Sequence, residues 1–325
     1  MSSTSSRSGP ATSRIDRGPA DQRGTKQLSE RTELTFDSGG VDCAAYLYRP
    51  AESGVVPCVV MAHGFAATRD DGLPAYAQRF TEAGLAVLLF DYRHFGASGG
   101  QPRQLIHVGR QHEDYHAAIR CARHLDGVDP DRIVLWGASF SGGHVIAVAA
   151  GDSRVAAVIS QVPFADGLIG TWQTPLPTLL GLVAAGVQDA AGSLRGRPPH
   201  LVPAIARPGQ VAVITDPEAE PGMRALVGAD SQWRNEVIAR TLLTLPLYRP
   251  GRRARRLGMP VLVCVAEADR TTPPGPAARI AERAPHGELR RYPTGHFDVF
   301  QGETFTQVIN DQVDFLHRHG LAVVP

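Results

Sequence analysis

Short apolar runs that alternate with longer helical patterns are the feature that most constrains the fold of this 325-residue chain. From residue 31 onward, runs of about five or six apolar residues, the length of a buried strand, alternate with stretches of helical periodicity. This alternation is typical of a mostly parallel sheet with helices on both faces. The opening runs, 31–36 and 41–48, flank Ser38-Gly39-Gly40 and predict an antiparallel hairpin. The sequence therefore predicts an α/β fold.

The predicted elements fall into two blocks separated by a long insertion. Strands are predicted at residues 31–36, 41–48, 58–62, 86–90, 132–136, 155–161, 261–265 and 289–292. Helices are predicted around residues 75–83, 111–124, 142–150, 276–282 and 305–319. Between the blocks the alternation is lost, and only a strand-like piece, 210–215, and a helical piece, 233–245, are recognisable. An insertion of this size is most simply a cap after the sixth strand.

The domain organisation follows from these blocks and from the composition of the N-terminus. Residues 1–28 are rich in Ser, Gly, Pro and Arg, which predicts a disordered tail without the apolar region of a secretory signal. The predicted parts are this tail, a first part of the core at 29–165, the cap at 166–258 and a second part of the core at 259–325. No apolar stretch approaches the roughly 20 residues that span a bilayer, so we expect a cytoplasmic protein.

Charge and cysteine content narrow the function classes. The 33 basic and 32 acidic residues give a net charge of +1, so no global field attracts nucleic acid, a membrane surface or a polyanion. The expected partner is a small molecule, and the sequence leaves open whether the chain forms a homodimer. The four cysteines include no CxxC pair and are expected to be reduced thiols.

The strongest local signal is the segment RIVLWGASFSGGH at residues 132–144, a buried strand that runs into a turn and then a helix. Ser139 lies in that turn between small residues, as a strained nucleophile elbow requires. Ser141, which replaces the usual second glycine, is a rival nucleophile because its own neighbours two positions away are also small. We favour Ser139, since the sharp turn should follow Trp136 directly and Ser141 should already lie in the helix.

A serine hydroxyl needs a base, and the base needs an orienting acid. In this architecture the chain order is serine, acid, histidine. Asp269 follows the strand 261–265 and is the predicted acid, with Glu267 as the alternative. His296 follows the last strand in Pro293-Thr-Gly-His-Phe-Asp298 and is the predicted base. Its alternative reading is a solvated loop histidine.

Acyl transfer also needs backbone N–H groups directed at the developing oxyanion. One donor should be Phe140, the residue after the nucleophile. The other should be Phe65 in His63-Gly64-Phe65, where Gly64 lets the chain bend so that the N–H points inward. His63 itself is expected to brace this loop.

With these residues in place, the chain resembles the α/β-hydrolase superfamily over nearly all of residues 31–320. The segments that carry the resemblance are HGF, DYRHFGASGG, GASFSGGH, AEAD and GHFD. The Ser139-Phe-Ser-Gly-Gly form and the long cap resemble a branch of dienelactone-hydrolase-like proteins, thiohydrolases and polyketide acyltransferases. The resemblance implies an eight-stranded, mostly parallel sheet and cleavage of an ester or thioester through acyl-Ser139. Transfer of the acyl group to an alcohol or amine is the alternative, and a non-catalytic binding protein is a third hypothesis.

Several other patterns are better explained by structure than by chemistry. His112-Glu-Asp-Tyr-His116 matches the HExxH zinc pattern. However, its polar neighbours predict a solvent-exposed helix that connects two strands, and the sequence indicates no third zinc ligand. Asp91 is expected to hold a structural turn. No dinucleotide, P-loop or Cys-rich pattern is present, so we predict neither a cofactor nor a metal.

The cap contains many apolar residues, and the sequence alone does not show what this apolar surface contacts. The residues concerned are Trp172, Leu176, Leu179, Leu180, Leu182, Trp233 and Leu242. They can pack the cap onto the core or contact a medium-sized, apolar acyl group. Trp172 and Trp233 are the candidate substrate contacts.

Overall fold

The computed structural model describes residues 31–51 and 54–323, and the predicted disordered tail at 1–28 lies outside the described residues. The strands are β1 (Arg31–Asp37), β2 (Asp42–Tyr48), β3 (Val56–Ala62), β4 (Ala86–Phe90), β5 (Val128–Ala138), β6 (Val155–Gln161), β7 (Leu201–Val202), β8 (Val237–Ile238), β9 (Val261–Ala266) and β10 (Gly287–Tyr292). The α-helices are α1 (Leu73–Glu82), α2 (Val108–Arg123), α3 (Phe140–Ala149), α4 (Gly167–Gln173), α5 (Leu176–Ser193), α6 (Ala219–Leu226), α7 (Pro274–Arg283) and α8 (Gly302–Arg318).

The main sheet has eight strands in the order β1-β2-β4-β3-β5-β6-β9-β10. Strands β1 and β2 form an antiparallel hairpin, β2 pairs antiparallel with β4, and all further pairings in this sheet are parallel. The predicted eight-stranded, mostly parallel α/β sheet is confirmed. Because β3, β5, β6 and β9 are neighbouring parallel strands, the loops at their carboxyl ends meet at one edge of the sheet.

Two hydrophobic cores cover the two faces of the sheet. Along β3, Cys58, Val60 and Ala62 belong to one core, and Val59 and Met61 belong to the other, as alternating side chains of a strand require. The first core includes side chains of α2, α3, α7 and the segment between β6 and β9, whereas the second includes α1 and α8. Burial on both faces explains why the central strands read as continuous apolar runs.

The segment between β6 and β9, which we call the cap segment, differs from its predicted local structure. The expected helix at 233–245 is wrong: Val237 and Ile238 form strand β8, paired with β7, and a 3-10 helix, Ala239–Leu243, follows. The strand-like piece at 210–215 contributes only an isolated bridge from Ile214 to Ile205. The α-helices of the cap segment, α4, α5 and α6, lie at other positions, all before residue 233. Among the described residues, no helix is both long enough and apolar enough to cross a membrane.

Candidate active site

The sharp turn between β5 and α3 holds Ser139 in a backbone conformation that side chains rarely adopt. Its φ is 57° and its ψ is −119°, and α3 begins at the next residue, Phe140. The Ser139 N–H donates to the Gln161 carbonyl at 2.9 Å, and the Ser139 carbonyl accepts from the Phe164 N–H at 2.8 Å. A Cβ at Gly137 would collide with the Ser141 carbonyl, so a glycine is required two residues before Ser139. The sequence folds locally into the arrangement of a nucleophile elbow.

Ser141 lies within α3 and is fully buried. Its Oγ donates toward the Ala62 and Ala138 carbonyls at 2.9 and 2.8 Å and accepts from the Ala138 N–H at 2.9 Å. These bonds tie α3 to the ends of β3 and β5. The hydroxyl at this position therefore has a structural use, which explains why serine can stand where a glycine is usual.

Asp269 and His296 come from two separate loops and form a buried pair. His296 Nδ1 lies 2.7 Å from Asp269 Oδ2, and the two residues are 3% and 6% exposed. Thr272 holds the carboxylate: its N–H donates to Asp269 Oδ1 at 2.7 Å, and its Oγ1 lies 2.9 Å from Asp269 Oδ2. Glu267, the alternative acid, is exposed and faces Arg291 at 3.8 Å.

The electrostatic surroundings favour the protonated form of His296. Burial alone would lower the pKa of His296, but the charges of Asp269, Asp216 and Glu218 outweigh it and raise this pKa above the ordinary histidine value. Two of these carboxylates, Asp216 and Glu218, belong to the cap segment. The Thr271 hydroxyl donates to Asp216 at 2.6 Å, and a Cβ at Gly295 would collide with the Glu218 carboxylate. The cap segment therefore contacts both loops that carry the acid and the histidine.

The loop after β3 approaches the elbow closely. A Cβ at Gly64 would lie 3.3 Å from the Ser139 Cβ, and the rings of Phe65 and Phe140 pack edge to face with centroids 5.5 Å apart. The two residues predicted as oxyanion donors are thus neighbours beside Ser139. His63 Nδ1 donates to the Gly64 carbonyl at 2.9 Å, and burial lowers the pKa of His63 to about 4, so it braces this loop as a neutral ring.

Ser139 and His296 line one narrow cavity of about 60 Å³. Most of its other lining residues are apolar: Phe65, Leu73, Ile205, Ile214, Met223, Leu226, Phe297 and Phe300. Four of these eight, Ile205, Ile214, Met223 and Leu226, come from the cap segment. The chemistry-bearing side chains therefore face an apolar space that the core and the cap segment enclose together.

Comparison with known proteins identifies the family of this chain. Residues 55–304 match the family model described as serine aminopeptidase, S33, which is a family of α/β hydrolases. The chain belongs to this family. Quorum-quenching protein AidA of Acinetobacter baumannii (strain MDR-ZJ06) is 46% identical over 88% of this chain and 94% of that protein. The thiohydrolase aneE of Aspergillus aculeatus is 36% identical over 57% of each chain.

A third relative connects the sequence and the structural comparisons. The polyketide transferase grgF of Penicillium sp. is 28% identical over 91% of this chain and 99% of that protein. The crystal structure of the α/β hydrolase GrgF from Penicillium sp. sh18 covers 89% of this chain and 99% of its own, with a TM-score of 0.78. This α/β hydrolase is therefore an enzyme whose relatives are named for hydrolysis and for transfer.

The sequence did not identify the residues by which the cap segment of this α/β hydrolase lines the cavity. Trp172 is 86% exposed, and neither Trp172 nor Trp233 lines the cavity. Met223 and Leu226 do so from α6. The signal that could have found them is the apolar spacing Ala219, Met223, Leu226, which marks one face of a short helix.

The two HExxH histidines of this hydrolase have different surroundings. His112 Nε2 lies 3.1 Å from His144 Nδ1 and 3.2 Å from the Tyr248 hydroxyl, in a network beneath Phe140. Within residues 31–51 and 54–323, no group of three or more His, Cys, Asp or Glu residues could hold a metal ion. His116 instead lines a larger depression of about 510 Å³ beside Ser38 and Asp152. That depression shares no residue with the cavity at Ser139. Its serine, Ser38, is 1% exposed, and the Ser38 Oγ accepts a hydrogen bond from Arg93 Nη2 at 2.7 Å. We therefore take the smaller cavity as the candidate active site.

Proposed function

We propose that this α/β hydrolase cleaves an ester or thioester of a small-to-medium, apolar acyl group through an acyl-Ser139 intermediate. The observation that carries the proposal is the 2.7 Å pair of His296 and Asp269 in the loops around the cavity that Ser139 lines. Asp269 orients His296, and His296 acts as the general base for Ser139. The backbone N–H groups of Phe65 and Phe140 are the oxyanion donors.

The reaction proceeds in two half-reactions. The Ser139 Oγ attacks the carbonyl carbon while His296 Nε2 takes the hydroxyl proton, and the N–H groups of Phe65 and Phe140 stabilise the oxyanion. The bond to the leaving alcohol or thiol then breaks, and that group leaves with the proton from His296. Water attacks the acyl-enzyme in the same way, which releases the acid and restores Ser139.

Replacement of Ser139 provides the test. We expect Ser139→Ala to lower kcat by several orders of magnitude without changing the melting temperature much, because it removes the nucleophile and leaves the fold intact. A fluorophosphonate probe should label the wild type and the Ser141→Ala variant but not Ser139→Ala. Labelling that persists in Ser139→Ala and disappears in Ser141→Ala would move the nucleophile two positions along the chain.

Acyl transfer is the second candidate function, and the relative named polyketide transferase favours it. Transfer and hydrolysis share the acyl-Ser139 intermediate and differ only in whether water or a bound alcohol or amine attacks it. Product analysis with p-nitrophenyl and thioester donors, with and without acceptor alcohols, separates the two. An acceptor-dependent rise in turnover together with an acylated acceptor supports transfer.

We also infer a cytoplasmic location. Cys43, Cys58 and Cys264 are buried free thiols, and Cys121 is a partly buried one. Unpaired cysteines are typical of a reducing compartment. Fractionation of cells that express the protein tests this inference.

A further inference from the structure

The cavity beside Ser139 contains one buried carboxyl group that the proposed mechanism does not use. Asp71 lies in the loop that follows Phe65, is 4% exposed, and lines the cavity. Its Oδ2 accepts hydrogen bonds from the Thr68 N–H at 2.7 Å and from the Thr68 hydroxyl at 2.9 Å. Its Oδ1 is buried and has no hydrogen-bond partner in the described part of the chain. One oxygen is therefore fixed by the protein and the other is left without a donor.

A carboxylate oxygen in this position is costly unless something donates to it. Burial raises the pKa of Asp71 even though the hydroxyls of Ser231 and Thr68 act in the opposite direction. Removing a charged group from water without a compensating hydrogen bond destabilises the folded protein. A bound molecule that brings an N–H or O–H to Oδ1 would compensate this cost.

The other polar side chains that line the cavity have hydrogen-bond partners in the protein or roles in the proposed mechanism. The Thr271 hydroxyl donates to Asp216, and Ser139 and His296 carry the chemistry. The remaining lining is largely apolar. Among the side-chain oxygens of the lining residues, Asp71 Oδ1 is the buried one without a hydrogen-bond partner in the described part of the chain. The loop is also held from the cap side, because Leu226 of α6 lies 3.2 Å from the Cβ position of Gly72.

We propose that Asp71 Oδ1 accepts a hydrogen bond from an amide N–H or a hydroxyl that the substrate carries close to its scissile carbonyl. The inference rests on the proposed function and names its substrate class: an acyl compound with an apolar chain and one hydrogen-bond donor. Phe65 and Asp71 belong to the same loop. This loop therefore binds the carbonyl oxygen of the substrate through the Phe65 N–H and accepts a hydrogen bond from the neighbouring donor of the substrate through Asp71. Sites with a buried polar group discriminate strongly against analogues that leave that group unpaired.

Binding to the Ser139→Ala protein tests the proposal without turnover. The ligands form two pairs that differ only in the donor: ethyl N-hexanoylglycinate with ethyl O-hexanoylglycolate, and ethyl 3-hydroxynonanoate with ethyl nonanoate. Calorimetry should give roughly tenfold tighter binding for the donor-bearing member of at least one pair, as expected for a hydrogen bond to a charged group. The pair that shows the preference identifies the donor as amide or hydroxyl.

Replacing Asp71 in the same background assigns the preference to its oxygen. In Asp71→Asn the Thr68 N–H requires an acceptor, so the side-chain carbonyl takes the place of Oδ2 and the NH₂ group takes the place of Oδ1. A donor then faces the cavity, and the tenfold preference should fall to about one or reverse. Asp70→Asn is the matched control, since Asp70 does not line the cavity, and it should keep the preference.

Asp71→Ser is a second variant that withdraws the oxygen from the cavity, in case Asp71→Asn does not fold. Equal affinity within both pairs, or no binding of any of the four ligands, overturns the proposal. A preference for the donor-bearing ligand that survives replacement of Asp71 also overturns the proposal. Failure of the proposed function has a different signature, namely ester hydrolysis or probe labelling that survives Ser139→Ala.

Discussion

At Ser139 the protein stores backbone strain where the proposed chemistry needs an exposed hydroxyl. A residue other than glycine at a φ of 57° costs on the order of 1–3 kcal/mol and persists only where the surroundings hold it. Here the hydrogen bonds to Gln161 and Phe164 fix the backbone on both sides. The buried Ser141 hydroxyl ties the first turn of α3 to β3 and β5. The strain leaves Ser139 partly exposed at the cavity instead of inside the helix.

The pair of Asp269 and His296 gives a prediction for a single atom. In Asp269→Asn the Thr272 N–H, which donates to Oδ1 at 2.7 Å, should hold the side-chain carbonyl, so the NH₂ group faces His296 Nδ1. His296 then carries its proton on Nε2 and cannot accept one from Ser139. We expect kcat to fall by roughly four orders of magnitude. Steady-state kinetics measures the loss, and thermal denaturation checks that the fold is kept.

Glu267→Gln is the control for this prediction because Glu267 is exposed and two residues from Asp269. It should change kcat less than about threefold, as surface substitutions away from a site do. If the two variants exchanged their effects, Glu267 would be the acid.

At the scale of elements, periodicity predicted the core well and the cap segment poorly. The predicted core helices at 75–83, 111–124, 142–150, 276–282 and 305–319 each begin two or three residues earlier in the structure. Prolines in the first turns of α1 and α7 are compatible with a helix there, although they weaken the periodic signal. The predicted helix at 233–245 failed for a tertiary reason. Val237 and Ile238 pair with β7, and the Arg240 N–H donates to Asp189 of α5, so distant contacts override local preference.

The cap segment also enters the electrostatics of the site, which predicts a pH dependence. His296 acts as a base only when neutral, so kcat/KM should fall as the pH drops below its pKa. Because Asp269, Asp216 and Glu218 raise that pKa, the acidic limb should lie above the ordinary histidine value. Asp216→Asn and Glu218→Gln each remove one raising charge, so each should move the limb to lower pH. The pH profile of kcat/KM on a small ester measures the shift.

Glu220→Gln is the matched control for the pH profile. Glu220 belongs to α6 but pairs with Arg207 and Arg224, and it is not among the largest influences on the pKa of His296. The limb should stay in place in this variant. An equal shift in all three variants would mean that net charge, and not these two carboxylates, sets the pKa of His296.

At the scale of the whole molecule, the candidate catalytic residues could be proposed from the sequence, whereas the residues by which the cap segment lines the cavity could not. Ser139, Asp269 and His296 could be proposed because each lies in the turn or loop after a recognisable strand, and the ends of parallel strands meet. Ile205 and Ile214 could not be predicted, because no local pattern shows which residues a folded cap segment will bring over Ser139. Asp71 was also missed, although it lies in a core loop, the one between β3 and α1. Trp172, which the sequence offers as a candidate substrate contact because the cap supplies apolar surface, is exposed to solvent.

The proposal that the core performs the chemistry and the cap segment selects the substrate leads to a prediction about chain length. Met223 of α6 forms part of the wall of the cavity of about 60 Å³, so it should limit the length of the acyl group that fits there. Met223→Ala removes side-chain volume from the wall and should move the preferred chain length of p-nitrophenyl esters upward. Each additional buried methylene should raise kcat/KM about fourfold, from roughly 0.8 kcal/mol per CH₂. Trp172→Ala, at an exposed position of the same cap segment, should keep the wild-type profile. If Trp172→Ala moved the profile and Met223→Ala did not, the selecting wall would lie elsewhere in the cap.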